Sequence, residues 1–429
     1  MNTKKAFGLW SAVLLGIGSM VGAGIFIVIG QAGSIAGNLV WISFILGGVA
    51  ALLSGYSLAK LAVAYPSRGG IVEYLVQGYG EGLFSGSIGI LFYFSQLITI
   101  AAVAKAFGVY AVTFIPEGLI SEDVFALCVV GLFIAINLIG AAFVSKAENI
   151  IVFIKLTILL VFVGVALFYV DPKLLSSTQM PAMHQMFFAV GLTFFAYQGF
   201  SVITNTVEDM ENPEKTMLKA MTITIILVGL LYVLTSVAVL GNMSLDEVLK
   251  AKDYALAQVA EPIFGSLGFK IMAATALLAT ASAINATLYA ATEIGYTLAK
   301  EGNLPKVYTY SIHASYEGLI ISAVLIVPMI LFLNLAQVTS IAALVVLIIQ
   351  GLTHIGHLLR IKETGANKLL VISAIVSMFG IAILTLYYTT QNEMPYIAIY
   401  ILSAFGLAFV VEVVLRFFTK RVVSRHIKN

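Results

Sequence analysis

Charge is scarce in this chain: Lys, Arg, Asp and Glu together make up 10% of its 429 residues, against about 25% in soluble domains. With 60% apolar residues and a mean hydropathy of +1.03, a string of soluble domains is excluded and a polytopic membrane protein is implied. No long run of like charges interleaved with aromatics exists, so the net charge of +2 offers no phosphate track and nucleic acid is excluded as a partner. The single cysteine, Cys128, excludes an internal disulfide framework and a cysteine metal cluster. A cleavage site is also lacking. Lys4 and Lys5 open the chain as in a signal peptide, but the apolar run behind them reaches about 25 residues, so it reads as a retained span.

What is present is a series of apolar runs of about 20 residues bounded by charge, Gly or Pro. Twelve are expected, over 7–31, 40–64, 83–107, 123–142, 149–170, 184–207, 217–241, 267–299, 317–334, 337–358, 368–389 and 395–417. An N-terminus inside leaves five basic residues outside (Lys105, Lys173, Lys250, Lys252 and Lys270) against seventeen in the cytoplasm, with Lys155 inside a span. Both termini of this plasma-membrane protein are therefore expected to be cytoplasmic. The stretch 243–265 is too polar to span. It reads either as an external amphipathic helix over an entrance or as an ordinary solvated loop helix.

The first run contains GIGSMVGAGIF, in which Gly16, Gly18, Gly22 and Gly24 each cost about 0.8–1 kcal/mol relative to alanine in a helix interior. Irregular backbone survives at membrane depth only where protein or a water-filled cavity satisfies its polar groups. Two readings are open: a helix opened toward a ligand, or close helix packing through small residues. The sixth run supplies a partner, GLTFFAYQGFSVITN (191–205), again with glycines and polar groups at its middle. Interrupted spans at matching places in two five-helix halves point to an inverted-repeat transporter with a midplane site.

At these residues a family resemblance can be stated. GIGSMVGAGIF resembles the first-helix motif of the amino acid-polyamine-organocation (APC) superfamily. YPSRGGIVEYLVQGYGEG (65–82) is similar to its loop after helix 2, EDMENPEKTMLKAM (208–221) to its acidic Asn-Pro loop after helix 6, and SAINATLYAATEIGYTLAKEGNLP (282–305) to its helix 8 signature. Together these cover most of residues 10–305 in the family's order, and the last hundred residues match as four more spans. Within the superfamily the chain most resembles the proton-coupled, broad-specificity ApcT type. The resemblance implies an all-α membrane protein of twelve transmembrane helices in one polytopic domain. Its 5+5 inverted-repeat, LeuT-like core would have discontinuous helices 1 and 6, a first repeat over 7–170, a second over 184–358, and two extra helices over 368–417.

The resemblance also implies a site. The N–H groups around Gly22, Ala23 and Gly24 would hold the substrate carboxylate, because unpaired donors at the start of a half-helix favour an anion. The substrate ammonium would face carbonyls at Ser19 and Met20 in helix 1 and at Phe195, Ala196 and Gln198 in helix 6. Selectivity would then fall to Phe26, Phe195 and Tyr197, with Phe195 at the family's aromatic gate. Neither break contains an acid or base, so neutral or apolar amino acids are the expected substrates; an arginine or polyamine carrier would show a carboxylate here.

Lys155 is the lone cation of NIIVFIKLTILLVFVGVALFYV (149–170), and a mid-span charge costs about 2.5–3.5 kcal/mol on insertion scales. Its apolar neighbours return about 0.3–0.6 kcal/mol each, so insertion proceeds. One reading is snorkelling, since the cytoplasmic end lies roughly 10 Å away. The resemblance gives another: the lysine stands where sodium-coupled relatives hold their cation, beside Gly16 of helix 1 and the helix 8 serine that matches Ser282. Such an ammonium fills a cation site when protonated and leaves it when neutral, which would make Lys155, Gly16 and Ser282 a proton-coupling set.

Other polar groups suggest less. His354 and His357 lie one turn apart with no carboxylate beside them, so no metal is expected. Glu293 and Lys300 read as an interfacial charge set, and Glu208, Asp209, Glu211 and Glu214 as an acidic loop that gates or is simply solvated. An enzyme would need paired carboxylates, a His cluster or an activated nucleophile at membrane depth, and none is present. A channel would want rings of like groups around an axis. The expected function is proton-coupled uptake of neutral amino acids by alternating access, with sodium-independent exchange as the alternative. No cofactor and no obligatory protein partner are called for; the partners are an amino acid, protons and the lipid bilayer.

Overall fold

The computed structural model describes residues 7–67, 69–116, 118–139, 142–175, 183–313, 315–392 and 394–419. Lys4, Lys5, Arg68, Lys420, Arg421, Arg425 and Lys428, which contribute to the charge bias above, lie outside the described residues. In chain order the helices are α1 (Leu9–Met20), α2 (Ala23–Ala36), α3 (Val40–Ala64), α4 (Ile71–Tyr79), α5 (Leu83–Val112), α6 (Glu122–Ile139) and α7 (Ala142–Ala166). They continue with α8 (Pro172–Leu175), α9 (Gln185–Phe188), α10 (Val190–Ala196), a 3₁₀ helix over Phe200–Asp209, α11 (Pro213–Leu240), α12 (Leu245–Lys250), α13 (Ala255–Gln258) and α14 (Ala260–Lys300). The last are α15 (Glu317–Phe332), α16 (Leu335–Leu359), α17 (Ile361–Thr364), α18 (Lys368–Asn392) and α19 (Ile397–Thr419). Among the described residues nine helical stretches are long and apolar enough to cross a bilayer, and α1 and α15 are shorter apolar helices beside them.

Burial separates a central set from a peripheral one. In the most apolar windows of α5 and α16, 78% and 72% of residues are buried, against 22% in α6 and α19. The peripheral helices turn large apolar side chains outward, such as Ile139 and Phe417, as a hydrocarbon surround requires. At the centre α3 packs along α11, and α5 along α14 and α16. Glycines permit the closest approaches. A Cβ on Gly47 would stand 2.8 Å from Thr193 Oγ1, and one on Gly78 would stand 2.6 Å from the backbone of Gly356.

Three features depart from the sequence reading. Lys105, counted as an outside charge at the end of the expected span 83–107, lies inside α5 at 4% exposure, donating to Asp123 and 3.7 Å from Glu122 at the start of α6. Two carboxylates compensate the buried ammonium, so the helix runs on to Val112. The polar stretch 243–265 is not one amphipathic helix but two short ones, α12 and α13, and the first turn of α14, which breaks at Gly265 (φ 71°). The Ser244–Glu247 capping box starts α12 and holds the Glu247 carboxyl below its usual range through hydrogen bonds from Ser244. The all-α expectation also omits a two-residue antiparallel pair, Ser311–Ile312 with Ser315–Tyr316.

Candidate functional site

Both glycine-rich runs are broken helices. The first stops at Met20, passes through Val21 and Gly22 (φ −105°, ψ −131°), and restarts at Ala23. The second stops at Ala196, turns through Gly199 (φ 116°), and continues as a ten-residue 3₁₀ helix. A side chain at Gly199 would be strained by that left-handed backbone. The two breaks meet. A Cβ on Gly24 would lie 2.8 Å from the Ala196 carbonyl oxygen and 2.9 Å from its Cα, and one on Gly199 would lie 2.8 Å from Ser19 Oγ. The start of the first broken helix is joined to the end of the second as well, because Phe7 N donates to the Asp209 carbonyl at 3.3 Å and Glu211 N to that of Phe7 at 3.2 Å.

A helix end leaves four backbone groups without intrahelical partners, so each can be followed. Of the last four carbonyls of α1, Ile17 accepts from Val21 N at 2.8 Å, Gly18 from Lys155 Nζ at 3.2 Å and Met20 from the Tyr232 hydroxyl at 2.7 Å. The same hydroxyl reaches the Ala196 carbonyl at 3.2 Å, so Tyr232 on α11 pins both breaks together. Phe195 accepts from Gln198 N at 3.0 Å. Three of the five expected ammonium-facing carbonyls, Met20, Phe195 and Ala196, are thus already engaged, Met20 and Ala196 sharing the single Tyr232 proton. At the start of α2 the cap residue Gly22 offers no side-chain acceptor to the first N–H groups, those of Ala23, Gly24 and their successors.

The aromatic residues divide. Tyr197, expected to shape selectivity, is fully buried, donates to the Phe44 carbonyl at 2.9 Å and packs where Gly48 and Gly229 make room, so its side chain turns away from the break. Phe26 is buried in the first turn of α2, where the Tyr110 hydroxyl donates to its carbonyl at 2.9 Å. Phe195 is buried at 4% exposure at the end of α10. The α2 half of the first broken helix is covered: a Cβ on Gly30 would overlap the Lys252 carbonyl at 2.1 Å, and Gln31 donates to Asp253 at 3.3 Å. On the other side of the break Gly18, Ser19, Gln198, Gly199 and Ser201 remain partly exposed.

Lys155 is buried at 1% exposure with Nζ on the Gly18 carbonyl, so its side chain does not snorkel out of the bundle. The detailed contacts differ from those expected. Gly16 faces Ile203 and Thr224 instead of the lysine, and the Ser282 hydroxyl donates to Glu148. Glu148 lies seven residues before Lys155 on α7, two helical turns and hence the same face. Sequence reading overlooked Glu148 because it sits at the edge of its run, and Tyr232 because one tyrosine in an apolar span carries no local signal. His354 and His357 point to serines of α3: His354 Nε2 lies 2.9 Å from Ser54 Oγ and His357 Nδ1 lies 2.7 Å from Ser57 Oγ.

Comparison with known proteins agrees with this architecture. The family model described as amino acid permease matches residues 7–419. An uncharacterized protein of Methanocaldococcus jannaschii is 34% identical over 427 residues, covering 99% of this chain and 98% of its own. The inner membrane transport protein YbaT of Escherichia coli is 34% identical over 420 residues, 97% of each chain. The serine/threonine exchanger SteT of Bacillus subtilis is 26% identical over 320 residues, 73% of each. With two broken helices meeting at the centre of an apolar bundle and a family match over nearly its whole length, this chain belongs to the amino acid permease family of membrane transporters.

Proposed function

We propose that this protein is a twelve-span, ApcT-type secondary transporter that takes up neutral and apolar amino acids with protons by alternating access. The observation that carries this reading is the meeting of the two breaks, with the uncapped start of α2 on one side and the carbonyl ends of α1 and α10 on the other. That pairs donors for a carboxylate with acceptors for an ammonium at one place. The 5+5 repeat is supported by packing between helices five spans apart: α1 against the 3₁₀ helix, α3 against α11, α5 against α14 and α6 against α15. Proton coupling is supported by Lys155, whose ammonium sits on the Gly18 carbonyl of the first span, three residues before the break at Val21. The covered outer half and the partly exposed inner face correspond to an inward-facing state. In proteoliposomes, labelled neutral amino acids should accumulate under an inward proton gradient and ignore sodium; strict sodium dependence would defeat the coupling. The relative named as a serine/threonine exchanger favours exchange as the second reading. Uptake that occurs only into vesicles preloaded with amino acid would select it.

Orientation has its own test. Both termini are proposed to be cytoplasmic, which puts the exposed Lys252 over the outer half of the first span. In a Cys128→Ser background, Lys252→Cys should react with an impermeant thiol reagent from outside the cell. Labelling only from the cytoplasmic side would invert the topology.

A further inference from the structure

The Gln198 side chain ends a buried hydrogen-bond chain that plays no part in holding an α-amino acid group. Gln350 Nε2 donates to Gln198 Oε1 at 3.2 Å, Ser54 Oγ donates to Gln350 Oε1 at 2.7 Å, and Ser54 Oγ lies 2.9 Å from His354 Nε2. Ser54 has one hydroxyl proton and gives it to Gln350, so it accepts from His354, whose proton is then on Nε2. All three bonds run in one direction. Both ends are bare: Gln198 Nε2 and His354 Nδ1 are buried atoms without a hydrogen-bond partner among the described residues. Gln350 is 1% exposed and Ser54 and His354 are 0% exposed, so the chain is walled in, while Gln198 itself is partly exposed at the helix break. Its position is beside the proposed site, since Ala196 abuts Gly24 and Gly199 abuts Ser19.

A buried donor without a partner is destabilising, and buried polar atoms are otherwise almost always paired. A ligand group that reaches Gln198 therefore gains a bond that folding left unmade. The chain also has a second polarity. Turning over both amides and moving the His354 proton to Nδ1 reverses every bond and presents the Gln198 carbonyl oxygen instead of its amino group. Gln198 can thus meet an acceptor or a donor, and hydroxyl and carboxamide groups offer both. Gln198, Gln350 and Ser54 carry no charge, so an ionic side chain here would be buried without a counter-charge.

We propose that Gln198, positioned by Gln350, Ser54 and His354, is a side-chain subsite that selects neutral amino acids bearing a hydroxyl or carboxamide over apolar ones of the same shape. This rests on the reading of the two breaks as the α-amino acid site and narrows its substrate class. Threonine and valine provide the test, because they share a shape and differ by hydroxyl against methyl. Each is used to displace labelled alanine from the purified full-length protein in nanodiscs. Threonine should displace alanine at a concentration at least about tenfold below that of valine, as expected of a site built to bond a substrate hydroxyl. In Gln198→Leu the ratio should fall to about one, and in Gln350→Leu, which leaves Gln198 unsupported, it should fall several-fold. A merely structural role would not change a ratio between two ligands of one shape. Equal displacement by threonine and valine in the unmodified protein, or an unchanged ratio in Gln198→Leu, overturns the subsite while leaving the amino acid site intact. Failure of alanine itself to bind overturns both readings. Should Gln198→Leu not be recovered folded, Gln350→Leu and the unmodified ratio decide the matter.

Discussion

Gly24→Val is expected to abolish substrate binding in a protein that still inserts and runs as a single species. A Cβ at position 24 meets backbone, 2.8 Å from the Ala196 carbonyl oxygen and 2.9 Å from its Cα. A flexible side chain could swing aside, but these atoms belong to the end of α10 and are held by the Tyr232 hydroxyl. The breaks must separate, which disperses the donors of α2 and the carbonyls opposite. Overpacking of this kind typically costs about 1–3 kcal/mol, and the lost geometry falls directly on the ligand. Gly22 is different: a Cβ there would lie 3.5 Å from the Ser19 carbonyl oxygen and 3.6 Å from Ala283 Cβ, ordinary contact distances. Gly22→Ala should therefore weaken binding less than Gly24→Val. Gly131, with nothing within 4 Å of its added Cβ, supplies the control, since Gly131→Val should bind like the unmodified protein. Equilibrium binding of labelled alanine to purified protein measures all three. Intact binding in Gly24→Val would remove the proposed pocket.

Lys155→Ala should lose proton-driven accumulation, by at least about tenfold, while substrate binding is impaired less than transport. The ammonium donates to the Gly18 carbonyl and so ties α7 to the end of α1. Hydrogen bonds to a charged group contribute about 1.5–3 kcal/mol each, and a bond lost on deprotonation shifts a two-state equilibrium by that difference. The start of the first broken helix and the end of the second are paired through Phe7, Asp209 and Glu211, so release of α1 would carry the 3₁₀ helix with it. Glu148 makes the arrangement specific. Its carboxylate takes the Ser282 hydroxyl, which links α7 to α14 on the same face as Lys155. Lys155→Met, which keeps the stem but not the charge, should behave like Lys155→Ala if charge is what couples. Uptake at imposed pH gradients, beside equilibrium binding, separates the two effects. Undiminished gradient-driven uptake by Lys155→Ala would refute the coupling role.

Much of the scaffold was legible from the chain because lipid makes local demands. Apolar runs of bilayer length, the glycine clusters at Gly16–Gly24 and Gly191–Gly199, and a lone lysine in an apolar span each stand within about 20 residues of sequence. The helix breaks fall inside those two clusters. Lys105 shows the limit of such reading. Charge alone counted it among the solvent-facing residues outside, whereas its partners Glu122 and Asp123 come from the next helix and keep it buried in α5. Tyr197 shows another. Its place in the break suggested contact with substrate, but Gly48 and Gly229, on two other helices, decide where its ring goes.

By itself, then, the sequence determined that this is a polytopic membrane protein with two glycine-interrupted spans, since the cost of putting glycine, charge or irregular backbone into hydrocarbon is set residue by residue. Only the tertiary structure decided which groups close the breaks and which are left free. Tyr232 reaches Met20 across 212 residues, Ser54 reaches Gln350 across 296, and Ser282 reaches Glu148 across 134. A hydrogen bond depends on distances of about 3 Å and on which lone pairs remain unused. Helices brought together from opposite ends of the chain set those distances, and no local pattern of residue types encodes them.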